Sequence, residues 1–191
     1  MFVYRAARMI EVVDYDPRWP ELFVQVRERV WRACREAGAL AVEHVGSTSV
    51  PGLAAKPVID LDVVIADEDD LAAVQAALEG LGYRFRGDLG VPERYAFHAP
   101  EEPAIRHHLY VCVAGSVALQ NHLCVRDRLR AEPRLRDVYA ALKRGLAARA
   151  ETIDEYVEGK TDFLVGLLAE AGLDDEELRG VAEINRSSGR G

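Results

Sequence analysis

Apolar residues recur along the chain with two different periods, and each change of period marks an element. From Asp16, the positions Leu22, Val26, Val30, Cys34 and Ala37 fall three or four apart, one stripe of an amphipathic helix. Asp16 is placed to cap that helix, Pro17 to occupy its first turn and Gly38 to stop it. Residues 40–45 read as a short strand, and residues 58–65 (VIDLDVVI), entered from Pro57, as the strongest strand in the chain. Between them SVPGLAA predicts a short helix at most, with Ser49 as its cap. The helical period returns over 67–82, acidic at its start as the helix dipole prefers. Residues 83–87, 93–99 and 105–113 are strand-like and separated by turn residues. From Ser116 onward the pattern is helical only, over 116–133, 135–150 and 153–172. The order predicts an α+β fold: a core over 1–115, a helical part over 116–172 and a charged tail over 173–191 whose Ser/Gly/Arg-rich end is mobile.

The strand at 58–65 breaks the apolar pattern twice. Aspartate packs badly on a half-buried pleat, yet Asp60 and Asp62 both stand there. Alternation puts them on one face with Val58 and Val64, and gives Ile59, Leu61, Val63 and Ile65 to the core. Side chains two apart lie roughly 6.5–7 Å from each other, close enough for both carboxylates to hold one Mg²⁺. Just upstream, Gly46 lets backbone approach a ligand, and Ser47, Thr48 and Ser49 offer hydroxyls. A short helix behind them would aim amide donors at an anion, and Lys56 adds positive charge. The segment is therefore expected to hold a triphosphate against a carboxylate-bound Mg²⁺. The simpler readings also stand: Gly46 permits a turn, Ser49 caps a helix, and the aspartates face solvent on an edge strand.

Bulk properties narrow the class. With 49% hydrophobic residues among 191, the chain can bury a core. Its net charge of −8 argues against a general nucleic-acid binder. Cys34, Cys112 and Cys124 are odd in number and widely spaced, as reduced thiols of a cytoplasmic protein would be. No zinc spacing joins cysteines and histidines, and no P-loop or dinucleotide fingerprint occurs. The first residues, MFVYRAARMIEVV, lack the apolar core of a signal peptide, and no run of about 18 apolar residues predicts a membrane span.

A glycine–serine turn followed by D-x-D on the next strand resembles the polymerase-beta-like nucleotidyltransferases. More narrowly, VVDYDPRWPELF, EHVGSTSVPGLAAKPVIDLDVVI, RHHLYV, NHLCVRDRLR, YAALKRGLA and EYVEGKTDFL, in that order, resemble the GrpB family over about residues 10–170. The resemblance implies a nucleotidyltransferase-like mixed sheet with flanking helices and a helical C-terminal part. Gly46 and Ser47 match its phosphate-side turn, and Asp60 and Asp62 its metal carboxylates. GrpB-like domains also occur fused behind dephospho-CoA kinase.

The wider superfamily has a third acidic residue on a later strand. Here that strand, IRHHLYV, has none; it offers His108 and Tyr110 on one face. Many family members place His at the position of Tyr110. His107 points the opposite way and reads as structural, His44 as either a pocket or a core residue, and Glu43 as a partner for an Arg or His. In the C-terminal helices, Arg126, Arg130, Lys143 and Lys160 are candidate phosphate partners. Tyr156, four before Lys160, is a candidate stacking platform. Arg94 and Arg106 are weaker options, and a solvated face of ion pairs is the bland alternative for all of them. Three functions follow. The chain is a Mg²⁺-dependent nucleotidyltransferase acting on an NTP and an unknown acceptor, with His108 assisting deprotonation. Or it is a non-catalytic nucleotide- or anion-binding module working through a protein partner. Or it binds a phosphorylated cofactor precursor linked to coenzyme A.

Overall fold

A computed structural model describes residues 10–101 and 103–187. The first nine residues, where most of the signal-peptide question falls, and the last four of the expected mobile end lie outside the described residues.

Five strands form one mixed sheet: β1 (Ala39–Val45), β2 (Ile59–Ile65), β3 (Arg84–Phe85), β4 (Arg94–His98) and β5 (His107–Val113). Their spatial order is β1-β2-β5-β4-β3. β2 pairs antiparallel with β1 and parallel with β5, and β5–β4 and β4–β3 are antiparallel. The α+β expectation holds, and the D-x-D strand is internal rather than an edge.

The period-two reading of β2 also holds. Ile59, Leu61, Val63 and Ile65 join the main core, beneath α1 (Trp19–Cys34) and α2 (Leu71–Glu79). Val26, Val30 and Cys34 of the predicted stripe are buried in the same cluster. The helix starts later than expected. Asp16 accepts from the Arg18 backbone N–H at 2.9 Å and from its guanidinium, and Pro20, not Pro17, sits in the first turn.

A second core packs against the opposite side. It is built by α3 (Val117–Ala131), α4 (Pro133–Arg149), α6 (Thr161–Glu170) and α7 (Asp175–Ser187) around Val50, Leu53 and Ala54 of the loop before β2. The helix expected over 153–172 divides into α5 (Ile153–Glu158) and α6 at Gly159–Lys160. There α4 passes so close that a Cβ on Gly159 would overlap the Leu146 side chain. Within the stretch read as a charged tail, α7 is instead a packed amphipathic helix: Leu178 and Val181 close the second core while its acidic first turn stays exposed. The charge of that stretch hid an apolar stripe only two side chains wide.

Truncation after Gly172 is expected to remove those two anchors and Leu173, which packs on the same core, at up to about 1.5–3 kcal/mol for each side chain that is fully buried. The thermal midpoint should fall by roughly 5–15 °C. An unchanged midpoint would return the segment to the status of a tail.

Candidate functional site

The chemistry-bearing residues converge where β2 and β5 run side by side. In register, Asp60 stands beside His108 and Asp62 beside Tyr110. His108 Nδ1 donates to Asp60 Oδ1 at 2.9 Å. His122, reaching in from α3, donates through Nδ1 to Asp62 Oδ2 at 2.7 Å. The two aspartates therefore share a face, as alternation required, but not an environment. Asp60 keeps 28% of its side chain exposed, whereas Asp62 keeps 0%. Burial opposes a charge on His122, but the Asp62 charge and hydrogen bond outweigh it and lift its pKa above the ordinary imidazole value.

Asp62 Oδ1 is buried without a hydrogen-bond partner. A buried carboxylate oxygen left bare is costly, so this atom marks where a donor or a cation belongs. The two carboxylates, each bonded through one oxygen to a histidine, are oxygen donors of the type a hard divalent ion takes. Cys112 adds a third atom type: its Sγ and donor atoms of Asp62 and His122 lie within 4.8 Å of one another. Burial, then the Asp62 charge, hold that thiol well above its ordinary range and keep it protonated, so the trio is not a ready thiolate site. Linear spacing could not reveal it, because its members come from three elements.

The loop before β2 differs from expectation in its hydroxyls. Ser47–Ser49 is a single 3₁₀ turn, with no helix behind it to aim amides at an anion. Ser49 Oγ donates back to the Gly46 carbonyl at 2.6 Å, and Thr48 Oγ1 donates to the Val58 carbonyl at 3.4 Å. Both side chains are buried, Ser49 satisfying the turn's own backbone and Thr48 that of the segment entering β2. Ser47 alone of the three has its hydroxyl in contact with the helical part. Gly46 is required on two counts: its φ is +68°, and a Cβ there would overlap the Asp60 carboxylate.

Cations come from the helical part. Lys143 of α4 is 2% exposed. Its Nζ donates to Ser47 Oγ at 2.7 Å and to the Ala54 carbonyl at 2.5 Å, and lies 4.7 Å from the Tyr139 ring centre. Burial pulls its pKa down to about 7. Lys160, at the α5–α6 break, lies 4.7 Å from the Tyr156 ring centre and is pulled down to about 8, again chiefly by burial. Tyr156 is buried with Lys160 over its face, so the ring expected as a stacking platform is already occupied.

Arg126 donates to Glu43 Oε2 at 2.7 Å, the partnership expected of Glu43, and to Asp127 at 2.7 Å. Arg130 holds the Ser49 carbonyl at 2.8 Å. His44 is stacked on Phe23, pairs with Thr48 and is pushed down by burial to about 4, a neutral core histidine. His107 donates through Nδ1 to the Ile105 carbonyl and accepts at Nε2 from the Tyr83 hydroxyl, each at 2.6 Å, a neutral ring held by burial.

Two hollows meet at Ser47, Asp60 and Lys160. One, about 380 Å³, is lined by Lys56, Lys143, Lys160, Ser47, Asp60 and His108. The other, about 260 Å³, runs between α3 and α6 past Arg94, Asn121, His122 and Arg126 into aliphatic side chains. Sequence reasoning missed His122 and Asn121. They sit inside the quoted NHLCVRDRLR stretch, but nothing local tells which of its residues turns toward a strand sixty positions away.

The description "GrpB protein" matches residues 9–170. A relative from Halalkalibacterium halodurans is 37% identical over 163 residues, covering 85% of this chain and 82% of the relative. The protein YqkA of Bacillus subtilis is 32% identical over 82% of this chain and 46% of its own length. A dephospho-CoA kinase of Mycolicibacterium paratuberculosis is 32% identical over 79% of this chain and 43% of the kinase. The chain thus spans less than half of those last two proteins. The solved structure of GrpB from Enterococcus faecalis superposes with a TM-score of 0.75 at 32% identity, covering 84% of this chain and 96% of that one. The poly(U) polymerase Cid1 with MgGTP bound is similar at a TM-score of 0.53, 15% identity and 72% and 45% coverage, a likeness of nucleotidyltransferase fold alone.

The buried Lys143 predicts a pH signature. Between its folded value of about 7 and the ordinary 10.5, the unfolded chain carries a proton that the folded chain lacks. Stability therefore rises with pH across that window, with a slope of up to about 1.4 kcal/mol per pH unit for this group. In Lys143→Met, urea midpoints measured from pH 7 to 10 should rise less steeply than in the parent. An unchanged slope would show that Lys143 stays charged.

Proposed function

We propose that this chain, which belongs to the GrpB family, binds a nucleoside triphosphate with Mg²⁺ and transfers its nucleotidyl group to an acceptor. The observation that carries this reading is the meeting of opposite charges at one cleft. Asp60 supplies hard oxygen donors on one wall, with the unpaired Oδ1 of Asp62 buried behind it on the same strand face, and Ser47, Lys143 and Lys160 line the same hollow. Lys56 lines the same hollow.

In this reading the lysines and the Ser47 hydroxyl cradle the β- and γ-phosphates. Gly46 lets them approach Asp60. The metal, held by Asp60 and by Asp62 Oδ1, would supply charge neutralisation and alignment at the transferring phosphorus. The acceptor's oxygen or nitrogen bonds to the α-phosphorus as the bond from that phosphorus to the bridging oxygen breaks. Pyrophosphate leaves, and the acceptor's proton passes to the His108 imidazole, which Asp60 orients. The chain's free cysteines, two of them buried, suit a reducing compartment such as the cytoplasm. Among the described residues no helix is long and apolar enough to cross a membrane.

A second reading has its own support. No carboxylate stands on β5 beside the pair, and Tyr110 lies opposite Asp62. A fold that lacks the third acid can keep the nucleotide site without turnover and act through a protein partner. The similarity to part of a dephospho-CoA kinase extends this to ligands of coenzyme A type.

Thermal unfolding with each NTP, CoA and dephospho-CoA, with and without Mg²⁺, tests the site. A ligand at about 100 times its Kd adds roughly 2.7 kcal/mol, a midpoint rise of roughly 5–10 °C. The rise should appear with an NTP only when Mg²⁺ is present and vanish in Asp60→Asn. No rise with any nucleotide would end the nucleotide reading. A rise without consumption of the NTP, whatever acceptor pool is supplied, would select the second reading.

A further inference from the structure

Of the two hollows that meet at Asp60, only one is assigned by the reading above. The other is chemically different. Beyond its mouth the walls are mainly aliphatic, with Val91, Val125, Leu129, Leu164 and Leu168 from the loop before β4, α3 and α6, and the Tyr139 ring of α4 beside them. At the mouth stand two polar atoms with unmet hydrogen-bonding capacity: Asn121 Oδ1 and Arg94 Nε are buried and without partners. An unpaired buried acceptor calls for a donor, and an unpaired buried donor for an acceptor. A hydroxyl satisfies both roles, and an amine satisfies the first.

We propose that this aliphatic arm is the binding site for the acceptor, and that the acceptor is a small amphipathic alcohol or amine. Its apolar body lies between α3 and α6, and its nucleophilic head sits at Asn121 and Arg94, facing Asp60. The assignment rests on the nucleotidyl-transfer reading for the word acceptor; the binding site itself does not. The nucleotide's base is a poorer occupant. Its edge carries several donors and acceptors, most of which these mainly aliphatic walls would strand without partners. A polyol fails for the same reason. At about 260 Å³ the arm falls below the usual span of drug-sized sites, about 300–1,000 Å³, so the occupant is small. Arg126 is already paired with Glu43 and Asp127, and the Arg94 guanidinium lies over the Tyr110 ring at 4.6 Å, so neither demands an anionic head.

The test uses the full chain with leucine methyls labelled for NMR. The probes are n-alkanols and n-alkylamines of two to eight carbons, with ribose and glycine as polar counterparts. Saturable shifts are expected at the Leu129, Leu164 and Leu168 methyls. Affinity should rise about four-fold for each added methylene until the arm is full. Ribose and glycine should leave those methyls unmoved. Leu164→Trp and Val125→Phe, at partly exposed wall positions, fill the arm from opposite sides. Whichever of them folds should lose the alkyl response while keeping any Mg²⁺–NTP thermal shift. Binding that ignores chain length would overturn the proposal, as would arm methyls that respond to the nucleotide and not to the alkyl series. Alkyl binding in a chain that binds no nucleotide would leave the apolar site standing and remove only the transfer reading.

Discussion

Charge placed inside a protein must be matched, and this fold is organised around meeting that demand. Two aspartates stand on an interior strand, one of them sealed from water, and two lysines stand in the helical part opposite, Lys143 in α4 and Lys160 at the α5–α6 break. Neither set is tolerable alone. Asp62 is held by His122 from α3, and Asp60 by His108 from the neighbouring strand. Among the described residues Lys143 finds no carboxylate partner; it binds the Ser47 hydroxyl and the Ala54 carbonyl, and loses much of its tendency to ionise. The match inside the chain is therefore incomplete, with one carboxylate oxygen bare on one side and two weakened ammonium groups on the other. The dication and polyanion proposed above would complete both sides at once, each charge meeting the opposite charge already in place.

The same contacts explain the architecture. The loop between β1 and β2 is short of regular structure, yet its Val50, Leu53 and Ala54 lie in the second core. Arg130 and Lys143 grip the Ser49 and Ala54 carbonyls, satisfying backbone groups that no strand reaches. The helical part is thus the second wall of the cleft and also the support of its first. Disturbing α4 would move Ser47 as directly as disturbing the sheet, which is why chemistry and packing cannot be separated at this junction.

Much of this was legible in the sequence, and the reasons differ by feature. Alternation along residues 59–65 has a period of two, so one register sorted the core residues from the aspartates. The α1 stripe was legible in the same way. The family was legible because its motifs lie in contiguous stretches. Partnerships across long separations were not: His122 is sixty residues from Asp62, and Lys143 ninety-six from Ser47. Thr48 and Ser49 looked like ligands because a hydroxyl carries no mark of which way it turns, and here the backbone carbonyls of Val58 and Gly46 claimed them. The break at Gly159 depends on how closely α4 passes, a tertiary fact invisible in a helical pattern.

The central claim is that carboxylates and lysines form one site which metal and nucleotide complete together. Electron paramagnetic resonance of Mn²⁺, standing in for Mg²⁺, tests it directly. Free Mn²⁺ would be titrated with the chain, alone and with a non-hydrolysable NTP analogue. If each ligand satisfies the charge the other leaves, their binding is reciprocal, and the nucleotide should tighten Mn²⁺ binding by the same factor that Mn²⁺ tightens the nucleotide's. Controls without protein would remove the contribution of the Mn²⁺–nucleotide complex in solution. Mn²⁺ affinity unaltered by the nucleotide would mean that the two walls do not act as one site.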